Sequence, residues 1–168
     1  PYDLPEQITV YGPGDTAERL ASAYGMKSPQ GMTAAFEFRD LSVAASVGPF
    51  RVRAERVAHP IEAYAVRFEV DGSVFVYSGD TGPCLAIDEI SRGADLLLCE
   101  ASFVHGDDNP RDLHLTGRQA GEVARGAGVR RLVITHVPPW HDPGAAKAEA
   151  ASVYDGPIDL ATPGVTFA

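Results

Sequence analysis

Short runs rich in Val, Ile, Phe and Leu alternate with helical patterns along this chain, and that alternation restricts it to sheets covered by helices, an α/β or α+β architecture. Strand-like runs cover Ile8 to Tyr11, Phe50 to Ala58, Ala63 to Val70, Val74 to Tyr77, Leu96 to Cys99 and Arg131 to Thr135. The pair Asp71-Gly72 falls between two of them and signals a tight hairpin, because both central residues of that turn need a positive φ. Helical patterns run from Asp15 to Tyr24, Leu85 to Arg92, Leu115 to Ala127 and Gly144 to Ser152. In the third of these, Thr116 and Gln119 have capping-box spacing, and Gly126 and Gly128 close the run.

At 168 residues and 45% hydrophobic, the chain can bury one sizeable core, so a single domain over residues 1–168 is expected. It opens at Pro1 and goes directly into a strand, which reads as a domain truncated at its N-terminal side. No apolar run reaches the length of a membrane span and no basic-apolar leader is visible, so a cytoplasmic protein with no membrane partner is expected. A net charge of −9 argues against a broad nucleic-acid-binding face, which needs clustered Lys and Arg. The two cysteines, Cys84 and Cys99, are too few for a disulfide framework, and Cys99 in LLLCEA reads as a core thiol.

Four metal-capable or titratable residues sit where a strand is expected to end: His59 after VRAERVA, Asp80 after VFVYSG, Glu100 after DLLLC and His136 after RLVIT. Strand ends place such side chains on loops that a rigid sheet positions, free to converge. Each has an ordinary reading when taken singly. Asp80 in SGDTG could be a turn residue, His59 and His136 hydrogen-bonded structural histidines, and His114 in LHLTG a neutral loop residue before a helix. Taken together, one Asp and two His at successive strand ends are the donors that suit a cation such as zinc. His105 and His141 end no strand and read as surface loop residues.

The order HPIEAYAVRF at His59, SGDTG at Asp80, CEASF at Glu100, HLTG at His114 and ITHVPP at His136 resembles the second half of the ribonuclease Z branch of the metallo-β-lactamase superfamily. The resemblance runs from YGPG at Tyr11 to about Trp140. It implies an α/β fold, the C-terminal portion of an αββα sandwich, in which His59 and His136 each bind one metal and Asp80 bridges the two. It further implies that His114 contacts the scissile phosphate and helps to protonate the leaving oxygen, with Glu100 orienting it, so that His114, Glu100 and Asp80 form the catalytic set. Two divalent ions, Zn²⁺ or alternatively Mn²⁺, are the implied cofactors of the complete protein.

Two departures from that pattern matter. The HxHxDH motif that supplies the family's other metal ligands occurs nowhere in the sequence, so this chain alone is expected to be inactive. Asp80 follows His59 by only 21 residues, which leaves no room for the RNA-gripping arm that enzymes trimming precursor transfer RNA carry there. SGDTGPC and HVPPW also resemble cyclic-nucleotide phosphodiesterases of the same superfamily. The expected function is therefore metal-dependent hydrolysis of a small phosphodiester such as 3′,5′-cyclic AMP. A ribonuclease Z-like endoribonuclease acting on transfer RNA 3′ ends, and a non-catalytic ligand- or partner-binding domain, are the alternatives. Because part of a sandwich would leave sheet surface open, a homodimer is expected.

Overall fold

The computed structural model describes residues 7–41, 45–106 and 108–167, and the chain divides into two compact units, Pro1–Val43 and Ala44–Ala168. In the first, strand β1 (Ile8–Gly12) leads through helix α1 (Thr16–Ala23) and a 3₁₀ turn (Pro29–Gly31) to β2 (Phe36–Asp40), which pairs with β1 in parallel. Its helix and first strand lie where the sequence pattern puts them, whereas β2 carries no clear pattern in AAFEFRD.

The second unit is built on a seven-stranded sheet in the order β3 (Ala45–Val47), β4 (Phe50–Arg56), β5 (Tyr64–Val70), β6 (Ser73–Tyr77), β7 (Leu96–Glu100), β8 (Leu132–Thr135) and β9 (Ile158–Leu160). Strands β3 to β6 form an antiparallel meander, and β6 to β9 run parallel. Asp71 and Gly72 turn the chain between β5 and β6 with φ of 49° and 80°, and Val70 pairs with Ser73 across them. Positive φ at both positions is what the mirror-image two-residue turn demands.

The parallel half needs a crossover between each pair of strands, and α2 (Leu85–Ile90), α3 (Gly117–Ala127) and α4 (Pro143–Ala151) provide them. Alternate residues of the strands, Val76, Leu97, Cys99, Leu132 and Ile134, face these helices and pack with Ile87, Ile90, Leu115, Val123 and Tyr154 into one core. Each fully buried Leu or Ile there contributes roughly 1.5–3 kcal/mol of transfer free energy. Helices α3 and α4 approach closely because Gly117 and Gly121 have no Cβ to collide with the backbone of Ala146 and Ala150. On the opposite face of the sheet Phe50, Phe68, Phe75 and Leu98 line a groove of about 980 Å³ that Pro163 and Phe167 of the C-terminal segment also border.

Most element boundaries shift by a residue or two from the sequence reading, and some of the differences have a visible cause. Helix α3 starts at Gly117 because Thr116 is its N-cap, with extended backbone; its hydroxyl accepts from the Gln119 amide and the Gln119 side chain accepts from the Thr116 amide. Strand β4 stops at Arg56, two residues early, so that Ala58 can pair with Gly82 instead. Strands β3 and β9, three residues each, are too short to leave an alternation in sequence. Among the described residues no helix is long and apolar enough to cross a membrane.

Candidate metal centre

The four strand-end residues and His114 meet at one end of the seven-stranded sheet, on loops stitched together by two isolated bridges. The Gly82 amide donates to the Ala58 carbonyl at 2.7 Å, which brings the His59 loop against the Asp80 loop. The Phe103 amide donates to the Leu115 carbonyl at 3.0 Å, which brings the Glu100 segment against the His114 loop. The glycines flanking Asp80 let its loop pack closely against the backbone at Tyr64 and Arg111. Gly79 sits at φ +61°, and a Cβ there would lie 2.5 Å from the Tyr64 carbonyl oxygen, while a Cβ on Gly82 would strike the carbonyl of Arg111.

Glu100 is 1% exposed at the end of β7, and its carboxylate is fully engaged. Oε1 accepts from the Thr81 amide at 2.6 Å and from His114 Nδ1 at 2.9 Å, and Oε2 accepts from the Ser102 amide at 3.3 Å. Because a carboxylate oxygen can only accept, the proton of that imidazole pair lies on His114 Nδ1 and its Nε2 is left free. His59 Nδ1 likewise donates to the Ile61 carbonyl at 2.9 Å, freeing its Nε2. His136 Nδ1 lies 3.2 Å from Asp80 Oδ1 and 4.0 Å from Glu100 Oε2. The imidazole of His114 is flanked by those of His59 and His136, with ring centroids at 5.8 and 5.2 Å.

Candidate ligand atoms of His59, Asp80 and His114 lie within 4.8 Å of one another, as do those of Glu100, His114 and His136. Imidazole nitrogens with carboxylate oxygens are the donors that zinc and manganese take, and backbone acceptors on the second ring nitrogen are how metal-binding histidines are held. The residues present therefore fit a divalent cation. Neither group is the expected triad of His59, Asp80 and His136: His114 belongs to both, with its Nδ1 2.9 Å from Glu100 Oε1, while Asp80 Oδ1 lies 3.2 Å from His136 Nδ1.

Sequence reasoning missed Ser102, which is 4% exposed and bonds to His136 through both its backbone oxygen and its ring. His141 is not a free surface histidine: its Nδ1 donates to the Ser102 carbonyl at 3.2 Å. Trp140 beside it is 78% exposed. Cys99 is fully buried, and desolvation pushes its thiol pKa well up, which fits an inert core residue.

A mixed sheet with crossover helices on one face, and a His-carboxylate cluster at one end of it, is the architecture of a metallo-β-lactamase-fold protein. The family model described as "Beta-lactamase superfamily domain" matches residues 3–137, and the chain belongs to that family, on the branch related to ribonuclease Z. It is 41% identical over 166 residues to an uncharacterised protein of Mycobacterium leprae, covering 94% of this chain and 57% of that protein. Ribonuclease Z of Myxococcus xanthus is 42% identical over 100 residues, 56% of this chain and 32% of the enzyme. The crystal structure of the metallo-β-lactamase-fold protein YhfI from Bacillus subtilis superposes with a TM-score of 0.81 at 24% identity, over 96% of this chain and 65% of YhfI. The chain thus spans less than two thirds of the length of these relatives.

Proposed function

We propose that the full-length gene product is a metal-dependent phosphodiesterase acting on a small diester such as 3′,5′-cyclic AMP, with two divalent ions, Zn²⁺ or Mn²⁺, held in part by His59, Asp80 and His136. The observation that carries this reading is the His114–Glu100 pair, a general acid with one nitrogen anchored and the other free, set against the Asp80–His136 pair. Bound there, divalent cations supply Lewis acidity that activates water and neutralises phosphoryl charge. The chain's own part is to orient and to donate. Glu100 holds His114 through Nδ1–H. In its imidazolium form His114 passes the Nε2 proton to the ribose 3′ oxygen as that P–O bond breaks and water adds to phosphorus, and the proton shed by the water returns to Nε2 or to solvent, leaving the 5′-monophosphate. Such positioned proton transfer contributes about 10²- to 10⁴-fold.

A ribonuclease Z-like reading draws on the similarity to the Myxococcus enzyme. Against it, the stretch between His59 and Asp80 is filled by β5, the Asp71-Gly72 turn and β6, with no protruding arm, and the net charge is −9. Steady-state assays of the full-length product in Mn²⁺ and Zn²⁺, with 3′,5′-cyclic AMP and a precursor transfer RNA in parallel, separate the two. Conversion of the nucleotide to 5′-AMP is the expected result; cleavage of the RNA alone would replace this reading with the second.

A further inference from the structure

Ser102, which the proposed chemistry does not use, bonds to His136 at two points. Ser102 Oγ lies 2.7 Å from the His136 carbonyl oxygen and 3.1 Å from His136 Nδ1. A hydroxyl has a single proton, and the carbonyl, which can only accept, takes it in the shorter contact. Ser102 Oγ therefore meets the ring as an acceptor. Among the described residues, carboxylate oxygens also lie near Nδ1, Asp80 Oδ1 at 3.2 Å and Glu100 Oε2 at 4.0 Å, and these accept too. Nδ1 must carry a proton, so in the neutral ring Nε2 keeps the lone pair.

The backbone is held as well. His136 has φ +55°, in the left-handed region that non-glycine residues seldom occupy, and it occurs where β8 ends. The bond from Ser102 Oγ to the carbonyl of His136 closes on this unusual conformation, and the Ser102 carbonyl accepts from His141 Nδ1 at the far end of the same loop.

We infer that Ser102 is a positioning residue: it holds His136 with Nδ1 protonated and Nε2 free, so that the carboxylate of Asp80 need not serve as the ring's acceptor. The metal-binding consequence rests on the proposed role of His136 and Asp80 as ligands. The tautomer consequence does not, so the two can fail separately.

Asp80 and Ser102 both face Nδ1, so the test removes them in turn. In the metal-free chain labelled with ¹⁵N-histidine, at a pH of about 8 where free imidazole is neutral, the His136 resonances are assigned with His136→Gln. Wild type and Asp80→Ala are expected to show a single Nδ1–H tautomer, since Ser102 remains. The double variant Asp80→Ala/Ser102→Ala is expected to show both tautomers, and Asp80→Ala/Ser102→Thr to restore one. A double variant that keeps Nδ1–H alone, or loss of it in Asp80→Ala by itself, would overturn the inference.

In the full-length protein, Ser102→Ala should weaken Zn²⁺ or Mn²⁺ binding roughly 10- to 100-fold, with Ser102→Thr rescuing it. His141→Ala, which frees the loop without touching the His136 ring, should leave affinity within about threefold of wild type on the same account. Equal losses in His141→Ala and Ser102→Ala would reduce Ser102 to a loop staple and overturn the positioning role. A full-length protein that binds no metal, yet shows the expected tautomers, would sink the metal-ligand reading and leave the tautomer inference standing.

Discussion

His114 Nδ1 donates to Glu100 Oε1 across 2.9 Å, and the same buried carboxylate accepts from the amides of Thr81 and Ser102. Every partner of Glu100 is thus a donor, which only an acceptor on both oxygens can satisfy. In Glu100→Gln the new amide NH₂ must face one of those donors whichever way it flips. Unfolding free energy from urea titration should fall by about 1–3 kcal/mol, the cost of a buried group left without a partner. An unchanged midpoint would mean that the pocket is wetter or looser than described.

His114 belongs to both metal-capable groups, yet its Nδ1 is committed to Glu100. If it serves as proton donor, His114→Ala in the full-length product lowers kcat by about 10²- to 10⁴-fold while bound metal stays the same. Loss of metal along with activity would make it a ligand instead.

Gly79 and Gly82 hold the Asp80 loop against its neighbours by having no side chain. Gly79→Ala combines a left-handed backbone with a Cβ 2.5 Å from the Tyr64 carbonyl, and backbone oxygen cannot move aside as a flexible side chain could. Its cost should be about 1–3 kcal/mol or more, read as a drop in thermal midpoint. At Gly25, also at positive φ but with nothing near, the same substitution should cost less.

The two thiols should part company chemically. Cys99 is fully buried with its pKa pushed up by desolvation, so it contributes little thiolate and little access; Cys84, at the start of α2, is half-buried. Native protein should react once with iodoacetamide and twice in denaturant, counted by intact mass. Rapid double labelling of native protein would contradict the packing of β7.

Much of this arrangement can be read in the sequence, for identifiable reasons. Asp71-Gly72 marks its hairpin because few residues tolerate positive φ, and Thr116 with Gln119 marks the start of α3 because orphan amides there need side-chain acceptors. His59, Asp80, Glu100 and His136 stand out because polar residues ending apolar runs are conspicuous. Strands β2, β3 and β9 leave no such trace, since what makes them strands is pairing with distant partners: Phe36 with Ile8, Ala45 with Val52, Ile158 with Leu132. Ser102 stayed hidden for a related reason. A serine in CEASF looks like any other until the fold brings it to His136, thirty-four residues away. The left-handed conformation of His136 is equally invisible, because histidine has no intrinsic need of it.

We propose that the side chains gathered at the ends of these strands form a metal-dependent hydrolytic centre that turns on Asp80, whose loop is bridged to that of His59 and whose carboxylate lies 3.2 Å from His136 Nδ1. The most direct measurement is the metal content of the full-length product by elemental analysis, with cyclic AMP hydrolysis on the same samples, for wild type and Asp80→Ala. The expected result is about two equivalents of divalent metal and nucleotide turnover in wild type, both lost in the variant while its thermal midpoint in excess chelator matches that of wild type. An Asp80→Ala protein that keeps its metal and its turnover would contradict the account.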